Sequence, residues 1–308
     1  MNTDFIKGII PPIITPVDKD ERLDEAKFRK QIDYIIDGGV HGILVFGSNG
    51  EFYMIEDDDM ERGLKITLDQ VKDKVPVYFG IGAIKTRKCI ELAKMAEKNG
   101  ATAISVLQPM FLKPSDEELY NHFKAIADAV PNLPMLLYNN PGRVGGYGIP
   151  VDMVVKLASE AKNIVGIKDS SGDMTLTAEL IRRTIGTNFK VLGGKDSLIF
   201  GTMVHGGSGA VCTTANFAPE LVCSIYEKYV AGDVNGAREA QFALYPIRLS
   251  MDRAPFPVAT KDYCNLRGLD IGSCVKPSIN TSGNLLEVYR QLLKEADEKT
   301  NQILVNRL

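Results

Sequence analysis

Histidine and cysteine are scarce in this chain of 308 residues, and the few present are not grouped as metal ligands. There are three histidines and five cysteines (Cys89, Cys212, Cys223, Cys264, Cys274), an odd number with no C-x-x-C pair. That excludes a disulfide framework and argues against a structural zinc site; the cysteines read as reduced, buried thiols of a cytoplasmic protein. An excess of positive charge is also missing. The formal net charge is −3 and the pI about 5.8, so no basic face is available for nucleic acid or an anionic membrane surface. No apolar run approaches the ~18 residues of a membrane span, and the N-terminal Met1-Asn2-Thr3-Asp4-Phe5-Ile6-Lys7 lacks the hydrophobic stretch of a secretion signal. There is no short-period repeat and no low-complexity segment. No glycine-rich dinucleotide fingerprint follows the first apolar run, and no cofactor is called for.

What is present is a regular alternation. Apolar, β-branched runs occur at Ile9–Thr15, Gly42–Gly47, Val75–Gly82, Ala103–Leu107, Pro134–Asn139, Ile164–Lys168, Lys190–Gly194 and Gly209–Thr213. Amphipathic helical patterns lie between them: Glu25–Asp37, Asp57–Lys72, Arg87–Asn99, Asp116–Ala129, Val151–Ala161 and Thr175–Thr184. Several end in Gly or Asn, as helix stops do. Runs that are continuously apolar suit parallel strands covered by helices, and eight such units predict a (β/α)8 barrel over residues 1–225 that carries the active site. Past residue 225 the strand signal stops, and helical patterns such as Ala237–Tyr245 and Leu285–Glu295 predict a C-terminal helical extension over 226–308.

Lys168 is a charge where such a strand should be apolar. It ends the run Ile164-Val165-Gly166-Ile167-Lys168. Burying an ammonium is costly, so a lysine in that setting titrates low or forms a covalent bond, and its natural target is a carbonyl. The competing reading places it just past the strand, in solvent. Strand parity decides between them. Gly166 and Lys168 share one face and Val165 and Ile167 the other, so an outward Val/Ile face turns Lys168 toward the barrel axis. By the same count Leu136 and Tyr138 share a face, and an inward Tyr138 lies beside Lys168 on the next strand.

A Schiff-base enzyme needs an amine, a proton shuttle and an anchor for the substrate carboxylate. Lys168 supplies the first and the Tyr138 phenol the second. The Gly47-Ser48-Asn49-Gly50-Glu51 turn can offer backbone N–H groups and the Ser48 hydroxyl to an anion, with Glu51 bracing the loop through local hydrogen bonds. Arg143 can bind a second carboxylate in bidentate fashion. Lys85 and Lys195 also follow strand candidates, but after glycine-rich segments where the chain turns outward.

Gly47-Ser48-Asn49-Gly50-Glu51, Tyr138-Asn139-Asn140-Pro141 and Gly166-Ile167-Lys168-Asp169, in that order and near those spacings, resemble the dihydrodipicolinate synthase/N-acetylneuraminate lyase family. The resemblance runs from Gly8-Ile9-Ile10-Pro11-Pro12 through Gly207-Ser208-Gly209-Ala210-Val211 to the helical tail. It implies a barrel with a helical extension, commonly a homotetramer, in which pyruvate or a 2-oxo acid forms an imine with Lys168. Tyr138 would then relay protons, Ser48 and Asn49 hold the pyruvate carboxylate, and the Val211 segment line the pocket.

The departures from the family pattern conflict. Condensing members carry two threonines where this chain has Ser48-Asn49, and usually a tyrosine from the neighbouring subunit where it has Phe111. Arg143 nevertheless matches the arginine those synthases use for the aldehyde's carboxylate. The Gly-Ser-Asn-Gly-Glu-Phe run and Gly-Ile-Lys-Asp-Ser-Ser-Gly-Asp are similar to 4-hydroxy-2-oxoglutarate aldolases, and some sugar-acid aldolases share Gly-Glu-Phe. The expectation is therefore retro-aldol cleavage of a 4-hydroxy-2-oxo acid or 2-keto-3-deoxy sugar acid. Dihydrodipicolinate synthase, condensing pyruvate with aspartate semialdehyde, is the alternative, and a non-catalytic 2-oxo-acid-binding barrel a minor one.

Overall fold

In the computed structural model, which describes residues 1–305, eight parallel strands and eleven α-helices follow one another along the chain. The strands are β1 (Gly8–Ile10), β2 (Ile43–Val45), β3 (Val77–Ile81), β4 (Ala103–Leu107), β5 (Met135–Asn139), β6 (Ile164–Asp169), β7 (Lys190–Gly193) and β8 (Gly209–Val211). Helices α1 (Glu25–Asp37), α2 (Asp57–Val71), α3 (Thr86–Lys98), α4 (Asp116–Ala129), α5 (Val151–Glu160), α6 (Met174–Thr184), α7 (Ile199–Val204) and α8 (Pro219–Val230) each follow the strand of the same number. Three of the eight begin at a side-chain cap, Asp24 for α1, Ser115 for α4 and Asp173 for α6. The α4 start is the clearest: Ser115 and Glu118 exchange hydrogen bonds in a capping box, and three acids fill the first turn. α9 (Val234–Ser250), α10 (Val258–Leu266) and α11 (Asn284–Val305) complete the chain. The last three residues of the extension expected over 226–308 lie outside the described residues.

Neighbouring strands pair in the order β1-β8-β7-β6-β5-β4-β3-β2, and the barrel closes between β1 and β2. The closing contact is irregular. Pro11 and Pro12 have no N–H to give, so regular pairing of the first strand stops at Ile10 rather than running to Thr15. The ends still meet, through Leu44 N–H to the Pro11 carbonyl at 2.9 Å and Ile13 N–H to the Leu44 carbonyl at 2.9 Å.

Two apolar layers hold this together. Ile10, Leu44, Tyr78, Ala103, Leu136, Leu192 and Val211 fill the barrel, each at most a few per cent exposed. Ile9, Ile43, Val45, Phe79, Ile104, Val106, Leu137 and Ile167 point outward into the helix ring. Alternation along each strand produces both layers at once. One residue departs from the expected parity. Met135 pairs with Ile164 but Leu136 with Gly166, and this slip places Val165 in the interior cluster rather than beside Ile167. Gly166 is required there. A Cβ would lie 2.5 Å from the Lys190 carbonyl oxygen and 2.7 Å from Leu136 Cδ2.

Three helices, α7, α8 and α10, had no counterpart among the helical patterns read from the sequence. α7 is a six-residue helix. α8 packs on β1, α9 and α11, and is buried over Pro219 and Leu221–Ile225, so no single apolar stripe marks it. The division at residue 225 suggested by the sequence falls inside α8.

Candidate active site

The C-terminal ends of the strands open into a cleft of about 440 Å3. At its base lie Lys168 and Tyr138, which are Cα partners across the β5–β6 ladder. Both point inward, as parity required, and both are buried, at 4% and 6% exposure. The Lys168 ammonium sits 3.9 Å from the centroid of the Tyr138 ring. Cation–π attraction and the packed ring fix the amine at the floor of the cleft. Lys168 has no acidic partner among the described residues. The carboxylate of its neighbour Asp169 turns away, accepting from Asn139 Nδ2, Ser171 Oγ and Thr177 Oγ1 at 2.9, 2.9 and 2.6 Å.

The Tyr138 hydroxyl is the hub of the site. It accepts from Asn140 Nδ2 at 2.8 Å and lies 3.4 Å from Ser48 Oγ. Burial by itself would push this phenol up. The Lys168 charge and hydrogen bonds with Ser48, Asn140 and Ser170 outweigh it and hold the hydroxyl below its ordinary range. Asn140 is set in turn from beneath. Its N–H donates to Gln108 Oε1 at 3.0 Å, and Gln108 Nε2 donates to the Tyr147 carbonyl at 3.0 Å and to Asn139 Oδ1 at 3.2 Å.

Ser48 and Asn49 form a single 3-10 turn with Gly50 after β2. A side chain at position 50 would be tight, with Ile13 O 3.0 Å from a Cβ, and the Thr15 hydroxyl ties the turn down by donating to the Gly50 carbonyl at 2.7 Å. The Asn49 amide is engaged at both ends: Nδ2 donates to Thr213 Oγ1 at 2.8 Å, and Thr260 Oγ1 donates to Oδ1 at 3.3 Å. Glu51 follows with φ of 53°. Its bracing partner is not local, as the sequence suggested, but Lys261 on α10, at 2.6 Å with neither side chain exposed.

Arg143 reaches the cleft from the turn after β5, where its guanidinium carbon lies 4.0 Å over the Phe256 ring. No carboxylate pairs with it among the described residues, whereas Arg248 at the rim is held by Asp252 at 2.9 Å. Asp196 is likewise occupied, accepting from Thr213 N, Thr214 N and Thr214 Oγ1. The charges left free in the cleft are cationic, which suits an anionic ligand. Val211 lines the same wall.

The C-terminal segment contributes more than the sequence suggested. Arg248, Phe256 and Thr260 line the cleft, so the extension builds one side of it. Nothing local marked them; Asn140, by contrast, stands in a polar run straight after a strand. Lys85 is exposed, and Lys195 lies at the rim with its side chain over Gly172. Phe111 is 98% exposed, at φ of 74°, and does not line this chain's cleft. Among the described residues there is no group of three or more His, Cys, Asp or Glu side chains placed to hold a metal, and no helix long and apolar enough to cross a membrane.

The model of the dihydrodipicolinate synthetase family matches residues 5–296. The 4-hydroxy-tetrahydrodipicolinate synthase of Methanopyrus kandleri is 35% identical over 300 residues, covering 97% of this chain and 94% of that protein. The enzyme of the same name from Thermus thermophilus is 38% identical over 258 residues, covering 83% and 85%. In three dimensions the chain is similar to YagE, a prophage protein of the dihydrodipicolinic acid synthase family from E. coli K12, solved in complex with pyruvate. That likeness has a TM-score of 0.90 at 31% identity and covers 94% of this chain and 98% of the other. With nearly its whole length matched and its barrel superposing on theirs, this chain belongs to the dihydrodipicolinate synthetase family of enzymes.

Proposed function

We propose that this chain forms an imine between Lys168 and pyruvate and joins the resulting enamine to a small aldehyde that carries a carboxylate. The observation that supports it best is the buried Lys168 amine fixed over Tyr138 at the floor of a cleft whose free charges are positive. The amine adds to the C2 carbonyl, and the carbinolamine loses water to give the imine. Loss of a proton from C3 gives an enamine, whose C3 attacks the aldehyde carbon. Hydrolysis of the product imine then frees Lys168. Tyr138 is placed to give and take the protons of these steps, with Ser48 as its neighbour. The Ser48 hydroxyl and the N–H groups opening the 3-10 turn are the anchor for the pyruvate carboxylate.

The names of the relatives favour 4-hydroxy-tetrahydrodipicolinate synthase, that is condensation with aspartate semialdehyde, over the retro-aldol cleavage suggested first by the sequence. One observation favours cleavage as a second reading. Where condensing members have a second threonine in the relay, the Asn49 amide is tied to Thr213 and Thr260, and an amide does not pass protons as a hydroxyl does. The two readings share the imine and part at the second substrate. Pyruvate with aspartate semialdehyde should give the greater kcat/KM, above about 10⁴ M⁻¹s⁻¹. Faster pyruvate release from a 4-hydroxy-2-oxo acid or 2-keto-3-deoxy sugar acid would reverse the order.

Arg143 is assigned to the carboxylate of the second substrate. Arg143→Ala should weaken use of a carboxylate-bearing aldehyde by roughly 1.5–3 kcal/mol, the scale of a hydrogen bond to a charged group. Pyruvate trapping at Lys168 should stay near normal. Equal losses in both assays would make Arg143 a support of its loop.

A further inference from the structure

Glu51 and Lys261 are an ion pair with no exposed surface, 2.6 Å apart, and neither touches the cleft. Two fully buried charges are costly to place and are tolerated only where each satisfies the other. Here the dependence is close. The Lys261 ammonium is the charge that faces the Glu51 carboxylate, and among the described residues neither Glu51 oxygen accepts a hydrogen bond. Lys261 is further held by donating to the Ser273 carbonyl at 3.2 Å. The next acid on α10, Asp262, serves a different purpose, accepting from Asn280 Nδ2 at 2.8 Å and Thr281 N at 3.0 Å.

The position of the pair explains why it is there. Glu51 ends the turn that carries Ser48 and Asn49, and its backbone is left-handed, an uncommon and costly conformation for a non-glycine residue. On α10 the residue before Lys261 is Thr260, which donates to Asn49 Oδ1. Two consecutive residues of α10 therefore grip two of the three residues 49–51. The turn is short and follows β2, which lies across the barrel from β5 and β6.

We propose that Lys261 is a positioning residue that acts through Glu51 to hold the Ser48–Asn49 turn in register with Lys168, so that the C-terminal helices set the affinity for the 2-oxo acid carboxylate. This rests on the reading of that turn as the carboxylate anchor. A displacement of the anchor by about 1 Å weakens capture of pyruvate without altering the amine that attacks it.

Borohydride trapping of pyruvate, titrated against pyruvate concentration, is the test. It is run on wild type, Lys261→Met, Glu51→Gln and the double variant, alongside thermal unfolding. Each single change strands a buried charge or polar group and lowers Tm; the double change removes both charges and should recover most of it. Half-maximal trapping should nevertheless need about 10- to 100-fold more pyruvate in the double variant, the range expected from misplacement of about 1 Å. Trapping at saturating pyruvate should stay within about three-fold of wild type, since Lys168 is untouched. A double variant with wild-type half-saturation would overturn the proposal and leave the pair a feature of folding. Should the double variant fail to accumulate as folded protein, Glu51→Gln is decisive, and unchanged half-saturation there would overturn it equally. Absence of any adduct on Lys168 in wild type would instead sink the function proposed above.

Discussion

Lys168→Ala should abolish the borohydride-stable pyruvate adduct and reduce turnover by roughly 10⁴–10⁶-fold, the scale on which loss of a covalent nucleophile is felt. The fold should survive the change. Lys168 is buried but unpaired, so its removal strands no carboxylate, and the ladder to Tyr138 is made by backbone groups. Peptide mapping of the trapped wild-type protein checks the assignment directly. The label belongs on the peptide that spans Ile164–Asp169; a label on Lys195 at the rim, or an undiminished label in Lys168→Ala, would refute it. In the proposed mechanism the attacking amine lies at the floor of the cleft, over the ring of Tyr138, within reach of a carbonyl whose carboxylate sits on the Ser48 turn. A binding barrel without chemistry would give no adduct at all.

Tyr138→Phe comes second in size. The ring, its packing and its contact with the Lys168 ammonium all remain, and only the hydroxyl is lost. Turnover should fall by about 10²–10⁴-fold, the usual worth of a positioned acid–base group. Thermal stability should change little. Ser48 Oγ and Asn140 Nδ2 lose a partner, but both border the open cleft, where water can replace it. The split between steps is informative. In the proposed mechanism imine formation and C3 deprotonation both draw on this hydroxyl, so single-turnover trapping should slow together with steady-state turnover. If turnover stays within a few-fold of wild type, Tyr138 is a packing residue, and proton transfer passes through Ser48 or solvent instead.

Much of the scaffold was legible because its signals are local. Each strand run is continuously apolar, since a barrel strand is covered on both faces, and each helix between them shows one stripe and a stop. Glu25–Asp37 and Asp116–Ala129 match the observed helices residue for residue. Where two layers bury a helix from both sides, as at α8, the stripe disappears and the pattern with it. The parity argument that turned Lys168 inward held at Gly166, Ile167 and Lys168 but not at Val165. The register slip opposite Met135 is a property of two paired strands and is written in neither one alone.

The same division runs through the site. The residues on which the proposed chemistry rests were legible in the sequence: a lysine ending an apolar strand, a tyrosine at matching parity on the strand before, and a glycine-bounded polar turn after the second. Those residues lie within single elements, and strand periodicity alone says where their side chains point. The tertiary structure decided what surrounds them. It placed Phe256 under Arg143, tied Asn49 to Thr213 and Thr260, and buried Lys261 against Glu51. Each of these contacts joins a barrel loop to a residue far along the chain. Their energies depend on distances across the packed cleft, which no local pattern of residue types encodes.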